Sequence, residues 1–98
     1  MSNVNQLTGT IESIMPLRQV SSTFQVLDFV IKTEGEYSQQ VIFQLTQDRV
    51  ALIDPFAEGE QVTVSFNIKG RAWEGPNGVK YFNTLECWKI ESLATFNV

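Results

Sequence analysis

The chain has 98 residues and a formal charge of −4, because seven Lys and Arg side chains face eleven Asp and Glu side chains. This length favours one domain, here residues 1–98, and no run of about 18 apolar residues suggests a membrane span. The lack of histidine and the single cysteine, Cys87, exclude an internal disulfide and triad catalysis, and nearly exclude a zinc site. We therefore expect a cytoplasmic protein that is not an enzyme and holds neither a metal nor another cofactor.

The charge is unevenly distributed along the chain. Residues 1–60 contain three cationic and eight acidic side chains, whereas residues 61–98 contain four cationic and three acidic ones. Cationic side chains supply much of the affinity of proteins for nucleic acids. Any surface that binds an anionic partner is therefore expected in the second part of the chain.

The first half of the chain predicts three strands. Alternation of polar and apolar residues indicates strands over residues 6–14, 24–33 and 37–45, with a loop over residues 15–23. Gly9, inside the first strand, indicates a bend or a close backbone approach. Gly35 predicts a turn between the second and third strands, since glycine adopts positive φ at no steric cost.

Alternation then stops, and residues 46–53 predict a short helix. Thr46 is a candidate N-cap, and Asp48 would lie favourably in the first turn. The residue before Pro55 is biased away from helical backbone, so the helix should end there. Val50 and Ile53 would share a face that closes one end of a β core.

The second half predicts two more strands joined by a hairpin. Val62, Val64, Phe66 and Ile68 are expected to point one way from the fourth strand. Asn77-Gly78 predicts a type I′ turn, because both positions tolerate positive φ. The last strand covers residues 79–92, with Leu85 and Cys87 pointing inward.

Five strands with one short helix between the third and fourth is the element order of an OB-fold. We therefore predict an all-β protein, a five-stranded Greek-key barrel. Its wall should contain Phe43, Val64, Phe66 and Leu85. A β-sandwich is the rival architecture, but seven strands would not fit into this length.

From Glu58 onward the sequence resembles bacterial single-stranded-DNA-binding proteins of the SSB type. The residues that carry the resemblance follow the family's order of motifs: Gly59, Val62-Thr63-Val64, Arg71-Ala72-Trp73, Gly78 and Tyr81. The chain as a whole is also similar to small bacterial OB-fold proteins of unassigned function. The resemblance implies an SSB-like barrel, oligomerisation and single-strand binding.

Two features depart from the SSB pattern. Glu58 stands where the family usually has lysine. The family usually continues into a long segment with an acidic tip that recruits repair enzymes, whereas this sequence stops at residues 95–98. Recruitment of partners through such a tail is therefore not expected.

The candidate binding residues combine aromatic rings for base stacking with cations for backbone phosphates. They are Lys69, Arg71, Trp73, Lys80, Tyr81, Trp88 and Lys89. For Trp73 the alternative is a ring that covers the barrel wall or an oligomer contact. Tyr81 could equally pack in the core, whereas a Trp in the position of Trp88, on an outer strand face, is more often an anchor of a subunit interface.

These residues predict binding of single-stranded DNA without sequence preference, with RNA left open as a ligand. The alternative is a protein-interaction or structural OB-fold module with little nucleic-acid affinity, which the negative charge favours. Apolar residues on outer strand faces also predict a homodimer or homotetramer. These residues are Phe24, Val26, Val30 and Ile42.

Overall fold

The computed structural model describes residues 5–93, which form six strands and one 3-10 helix. In chain order the elements are β1 (Asn5–Ile14), β2 (Arg18–Ser21), β3 (Phe24–Lys32), β4 (Gln40–Thr46), the helix (Gln47–Ile53), β5 (Gln61–Gly75) and β6 (Gly78–Ser92). The two ends of the predicted domain, including the segment 95–98, lie outside the described residues.

Five of the strands form a closed ring. Neighbours follow the order β1-β5-β6-β4-β3, and β3 pairs again with β1. The ring is weakest between β4 and β6, which share the single parallel pair Gln44 and Glu86. A closed ring of strands with one short helix between β4 and β5 confirms the OB-fold prediction.

Ring closure depends on β1, which changes partner along its length. Its first half pairs with β5 and its second half with β3. A side chain at Gly9 would place its Cβ 2.5 Å from the carbonyl oxygen of Lys32. The predicted close backbone approach at Gly9 is therefore confirmed.

The core fills the inside of this ring with residues that alternate along the strands. Its buried members are Ile11, Leu27, Phe29, Ile31, Phe43, Leu45, Ile53, Val62, Val64 and Cys87. The Phe43 ring lies 5.7 Å from that of Phe29 and 5.0 Å from that of Phe66. Phe66 and Leu85 pack against the core from its edge, so the four predicted wall residues are confirmed.

The helix differs in type and capping from the prediction. It is a 3-10 helix, and Thr46 makes no side-chain hydrogen bond at its start. The reason lies at Gln47, whose φ of +53° brings the chain into the helix through left-handed backbone. Ile53 is buried and Val50 packs against the core, as predicted for a helix that closes one end of the barrel.

Three features of residues 1–60 differ from the sequence prediction or add to it. The predicted loop contains β2, which pairs with β3 and is joined to it by a 2.9 Å ion pair between Arg18 and Asp28. Val26, expected on the surface, is only 3% exposed. The carboxylate of Glu58 accepts a 2.8 Å hydrogen bond from the backbone N–H of Ile14, so this departure from the SSB pattern has a structural role.

β5 and β6 continue past the barrel as a two-stranded hairpin that we call the arm, residues 67–75 and 78–86; its base overlaps the barrel at Leu85 and Glu86. Residues 67–74 and 78–83 are all exposed. The molecule measures 60 × 36 × 31 Å, with a radius of gyration of 15.3 Å. A compact chain of about 100 residues would have about 13 Å, so the arm projects from the barrel.

The turn at the tip of the arm differs from the predicted type I′ turn. Gly75 pairs with Gly78, which makes Pro76 and Asn77 the central residues. Gly78 has a φ of +115°, whereas Asn77 does not have positive φ. Proline favours the first central position of a type I turn, and a left-handed glycine commonly follows such a turn in hairpins.

Candidate nucleic-acid interface

Strand register divides the side chains of the arm between two faces. Residues paired across antiparallel strands share a face, and successive residues alternate between faces. Arg71 pairs with Phe82, and Trp73 pairs with Lys80. Together with Lys69, which is two residues before Arg71, these four side chains define what we call the basic–aromatic face.

The opposite side of the arm continues the inner surface of the barrel. It carries Ile68 paired with Leu85, Ala72 with Tyr81, and Glu74 with Val79. We call this side the apolar face. Ile68 points to the same side as Val62 and Val64, as predicted, but it is 62% exposed. The reason is that the barrel ends before Ile68 although the strand continues.

Two aromatic rings on the basic–aromatic face are accessible from solvent. Trp73 is 48% exposed and Phe82 is 49% exposed. The Trp73 ring lies over Gly75, because a Cβ at that glycine would overlap the Cζ3 atom of the ring. The backbone thus supports one part of the indole, and the exposed part remains available for stacking.

The cations on this face differ in how far they are neutralised. Lys69 Nζ lies 3.7 Å from Glu86 Oε1, and Arg49 Nη1 approaches the same oxygen at 3.7 Å. Within residues 5–93, neither Arg71 nor Lys80 forms an ion pair. Uncompensated positive charge therefore lies beside the two rings, towards the tip of the arm.

A shallow depression in the basic–aromatic face brings the two kinds of side chain together. It has a volume of about 370 Å³ and is lined by Lys69, Gly70, Arg71, Phe82 and Thr84. An aromatic edge, two cationic side chains and a hydroxyl can contact a planar base and its backbone phosphate at the same time. Such a surface offers stacking and charge without a base-specific pattern of donors and acceptors.

Four of the seven predicted site residues meet on this face: Lys69, Arg71, Trp73 and Lys80. Tyr81 lies on the apolar face and is 76% exposed, so packing in the core, its alternative interpretation, is wrong. Phe82 completes the face and was not among the predicted site residues. Phe82 lies two residues after Lys80 on the same strand, so strand alternation alone predicts that the two side chains share a face.

Trp88 and Lys89 lie in the barrel, away from the arm. The β5–β6 register passes from Ser65–Lys89 to Phe66–Cys87, so Trp88 is an extra residue at a β-bulge. Trp88 is half-buried, and Lys89 Nζ lies 3.6 Å from Glu91 Oε2. The structure does not bring these two residues together with Trp73.

The single cysteine is part of the core rather than of a site. Cys87 is fully buried, and burial raises the pKa of its thiol to about 11. The described residues contain no cluster of three or more potential metal-binding side chains. No helix within residues 5–93 is both long and apolar enough to cross a membrane.

The fold and this face define an OB-fold protein with a projecting basic–aromatic arm. The chain belongs to the family described as Domain of unknown function DUF3127, whose sequence profile matches residues 6–91. No curated protein sequence matches the chain significantly.

Solved structures similar to the chain include two crystal forms of Rim1, a mitochondrial single-stranded-DNA-binding protein of S. cerevisiae. One form has a TM-score of 0.73 at 14% identity and covers 93% of this chain and 95% of Rim1. The other has a TM-score of 0.71 at 15% identity, covering 93% of this chain and 94% of Rim1. At this identity, the similarity confirms the fold.

Proposed function

We propose that this chain binds single-stranded DNA along the basic–aromatic face of the arm, without sequence specificity. The observation that carries the proposal is the register of the arm, which gathers Trp73, Phe82, Arg71 and Lys80 on one exposed face. The OB-fold shared with Rim1, a protein whose name states single-strand binding, supports it. Single-stranded RNA is the second ligand to compare.

Binding would combine stacking with charge neutralisation. Trp73 and Phe82 stand diagonally across the two strands, about 7–8 Å apart at their backbones. Each stacked base contributes about 1–3 kcal/mol, and stacking tolerates any base because each has a π face. Arg71, Lys80 and, in part, Lys69 would hold the phosphates that flank these bases.

A fluorescence titration with oligo(dT) tests the proposal. In a Trp88→Phe variant, Trp73 is the remaining indole, and the oligonucleotide should quench its emission. Trp73→Ala should weaken binding of a labelled oligonucleotide, followed by anisotropy, by about 1–3 kcal/mol because one stacked base is lost. Phe82→Ala should have an effect of the same order.

The matched control is Tyr37→Ala, since Tyr37 is an aromatic residue outside the arm and is 83% exposed. It should leave the affinity unchanged. Full affinity in Trp73→Ala would move the site away from the arm. No binding at low salt with saturating oligonucleotide would reject the proposed function.

A second candidate function is protein interaction, which one observation favours. Leu17, Val20 and Phe24 are exposed together around the β2–β3 hairpin, at 50%, 58% and 36%. Exposed apolar side chains at neighbouring positions in the fold can mark protein-binding sites. Retained binding of a protein partner in a variant without DNA affinity would favour this candidate.

The proposal also includes self-association as a homodimer or homotetramer, in the cytoplasm. Ile42 on β4 remains 52% exposed, as expected for a residue of an outer subunit contact. Val26 is buried and cannot contribute to one. Light scattering on the DNA-free protein tests the assembly, and a monomer at about 100 μM would reject it.

A further inference from the structure

One carboxylate interrupts the row of cations on the basic–aromatic side of the arm. Even positions of β6 before the bulge share a side, so Glu86 lies on the same side as Phe82. It pairs with Asn67, and Lys69 is its diagonal neighbour on β5. From Trp73 near the tip to Glu86 at the base, Glu86 is the one acid on this side of the arm. Its charge therefore lowers the positive potential at the base.

Glu86 lies where the arm, β4 and the 3-10 helix meet. Its backbone pairs with Gln44 of β4, and the helix that follows β4 packs against β6. That helix carries Arg49, whose Nη1 lies 3.7 Å from Glu86 Oε1, and Lys69 Nζ lies 3.7 Å from the same oxygen. One carboxylate oxygen thus bridges a cation of the arm and a cation from outside it.

Both of these ion pairs are loose and accessible to solvent. A charge-assisted hydrogen bond measures about 2.7–2.9 Å, so the carboxylate attracts both cations without a hydrogen bond to either at 3.7 Å. The side chains of Lys69 and Arg49 are 61% and 49% exposed, whereas that of Glu86 is 21% exposed. Exposed ion pairs contribute little to stability, so another anion can replace the carboxylate at low cost.

We propose that Lys69 and Arg49 form a phosphate-binding subsite at the base of the arm, and that the Glu86 carboxylate occupies it in the DNA-free protein. A backbone phosphate of single-stranded DNA replaces the carboxylate, which turns out into solvent. This inference rests on the proposed function and deepens it. It adds Arg49 as a binding residue and Glu86 as an internal competitor of the ligand.

A phosphodiester suits this position better than the carboxylate does. Because Oε1 is equally distant from Lys69 and Arg49, an anion in its place can contact both cations at once. A phosphodiester is not tethered to β6, so it can approach each cation to hydrogen-bond distance. Guanidinium groups also bind phosphate oxygens in a bidentate geometry. DNA therefore gains more from the two cations than Glu86 loses.

The subsite is continuous with the depression that holds the aromatic edge. Lys69 lines that depression together with Phe82 and Thr84. Lys69 is also the diagonal neighbour of both Phe82 and Glu86, because it pairs with Thr84 between them. A strand that stacks a base on Phe82 and follows the arm towards the barrel would therefore bring a phosphate to Lys69 and Arg49.

A substitution that removes only the charge of the carboxylate tests the subsite. Glu86→Gln keeps the size of the side chain, and both cations become available to DNA. Affinity for labelled oligo(dT), measured by anisotropy at low salt, should rise roughly three- to ten-fold, since two weak ion pairs no longer compete. The dependence of log affinity on log salt should become steeper by up to about 0.7, the value for one further phosphate.

Glu91→Gln is the matched control. It removes the same charge from the same strand, and Glu91 Oε2 likewise lies close to a lysine, 3.6 Å from Lys89 Nζ. It should change the affinity by less than about two-fold, because its partner lies away from the arm.

Combined variants show whether the gain comes from the two cations. Glu86→Gln should give a smaller gain when Arg49 is replaced by alanine. When both Arg49 and Lys69 are alanine, it should raise the affinity no more than Glu91→Gln does. An equal gain with and without the two cations would overturn the subsite, because it would show a general effect of charge. Near-ultraviolet circular dichroism of the alanine variants separates a lost contact from unfolding.

The outcomes separate this inference from the proposed function. Binding that requires Trp73 but responds equally to Glu86→Gln and Glu91→Gln would overturn the subsite and leave the proposed function intact. Weaker binding in a folded Glu86→Gln variant would also overturn the subsite, because the carboxylate would then support the site rather than compete for it. An absence of binding in both the wild type and Glu86→Gln would reject the two proposals together.

Discussion

The barrel and the arm share two strands, β5 and β6, but the side chains of these strands have different roles in the two regions. In the barrel, β5 buries Val62 and Val64 completely, and its outward side chains face solvent or neighbouring strands. In the arm, the same strand buries neither face. Alternation therefore has two meanings here, since in the barrel it separates core from surface and in the arm it separates two exposed surfaces.

This difference separates stability from binding within one hairpin. Fully buried side chains contribute to the free energy of unfolding, whereas exposed side chains in the arm contribute little. The arm residues can therefore be suited to ligand binding, because the stability of the fold depends little on them. The predictions below test that separation, beginning with the largest expected effect.

Phe43→Ala should lower the free energy of unfolding by about 3–5 kcal/mol, because it leaves a cavity between Phe29 and Phe66. Phe82→Ala, the matched change in the arm, should lower it by less than about 0.5 kcal/mol. Urea denaturation of both variants measures the contrast. A similarly large decrease in the free energy of unfolding in Phe82→Ala would show that the arm contributes to stability as much as the barrel does.

Alkaline pH should destabilise the barrel through Cys87. The pKa of this thiol is close to the ordinary cysteine value of 9.0 in the unfolded chain and rises to about 11 in the folded protein. Between these values unfolding releases a proton, so the free energy of unfolding should fall by roughly 1.4 kcal/mol per pH unit. This contribution is fully present below pH 9 and is lost as the pH rises through 11.

Cys87→Ala isolates that effect from the lysines and tyrosines that also titrate in this range. The variant should be less stable than the wild type at about pH 8, because it loses core contacts. The stability difference should narrow as the pH rises towards 11. A difference that stays constant with pH would contradict the buried thiol as its source.

The sequence predicted the barrel well, because its signals are local and repeated. Alternation in β3, β4 and the first part of β5 identified core residues such as Phe43 and Val64. The glycine signal at Gly9 also corresponded to a real contact. Each of these inferences needed only the spacing of residue types along one strand.

The arm was harder to predict, because its organisation depends on register and on where the barrel ends. A turn centred on Asn77-Gly78 would place Phe82 opposite Trp73, whereas the actual turn places it opposite Arg71. The bulge at Trp88 shifts the inward–outward alternation of β6 by one residue, and no residue type in the sequence indicates it. Nothing in the alternation of β5 distinguishes Ile68 from Val64.

Gly75→Ala should change binding without changing stability. Its new Cβ would occupy the space of Cζ3 and Cη2 of Trp73, and the ring can rotate away because these atoms are the far end of a side chain that is 48% exposed. The indole emission should shift, and affinity for oligo(dT) should fall by up to the value of one stacked base, about 1–3 kcal/mol. Gly70→Ala is the control and should leave the emission unchanged, because its Cβ would lie 3.2 Å from the movable Asn83 amide oxygen and at an ordinary 3.7 Å from the Phe82 carbonyl oxygen. An unshifted emission in Gly75→Ala would show that the ring does not rest on this glycine.

The smallest expected effect compares a lysine of the arm with one of the barrel. Lys80 lies beside Trp73 and forms no ion pair within the described residues, whereas Lys89 is paired with Glu91 and lies beyond the bulge. If Lys80 contacts one phosphate, Lys80→Ala should make the dependence of log affinity on log salt shallower by about 0.7. Lys89→Ala should leave that slope unchanged. Anisotropy titrations of labelled oligo(dT) at several salt concentrations measure both slopes. Equal changes of slope in the two variants would mean that DNA contacts the barrel as well as the arm. Binding would then not be confined to the arm.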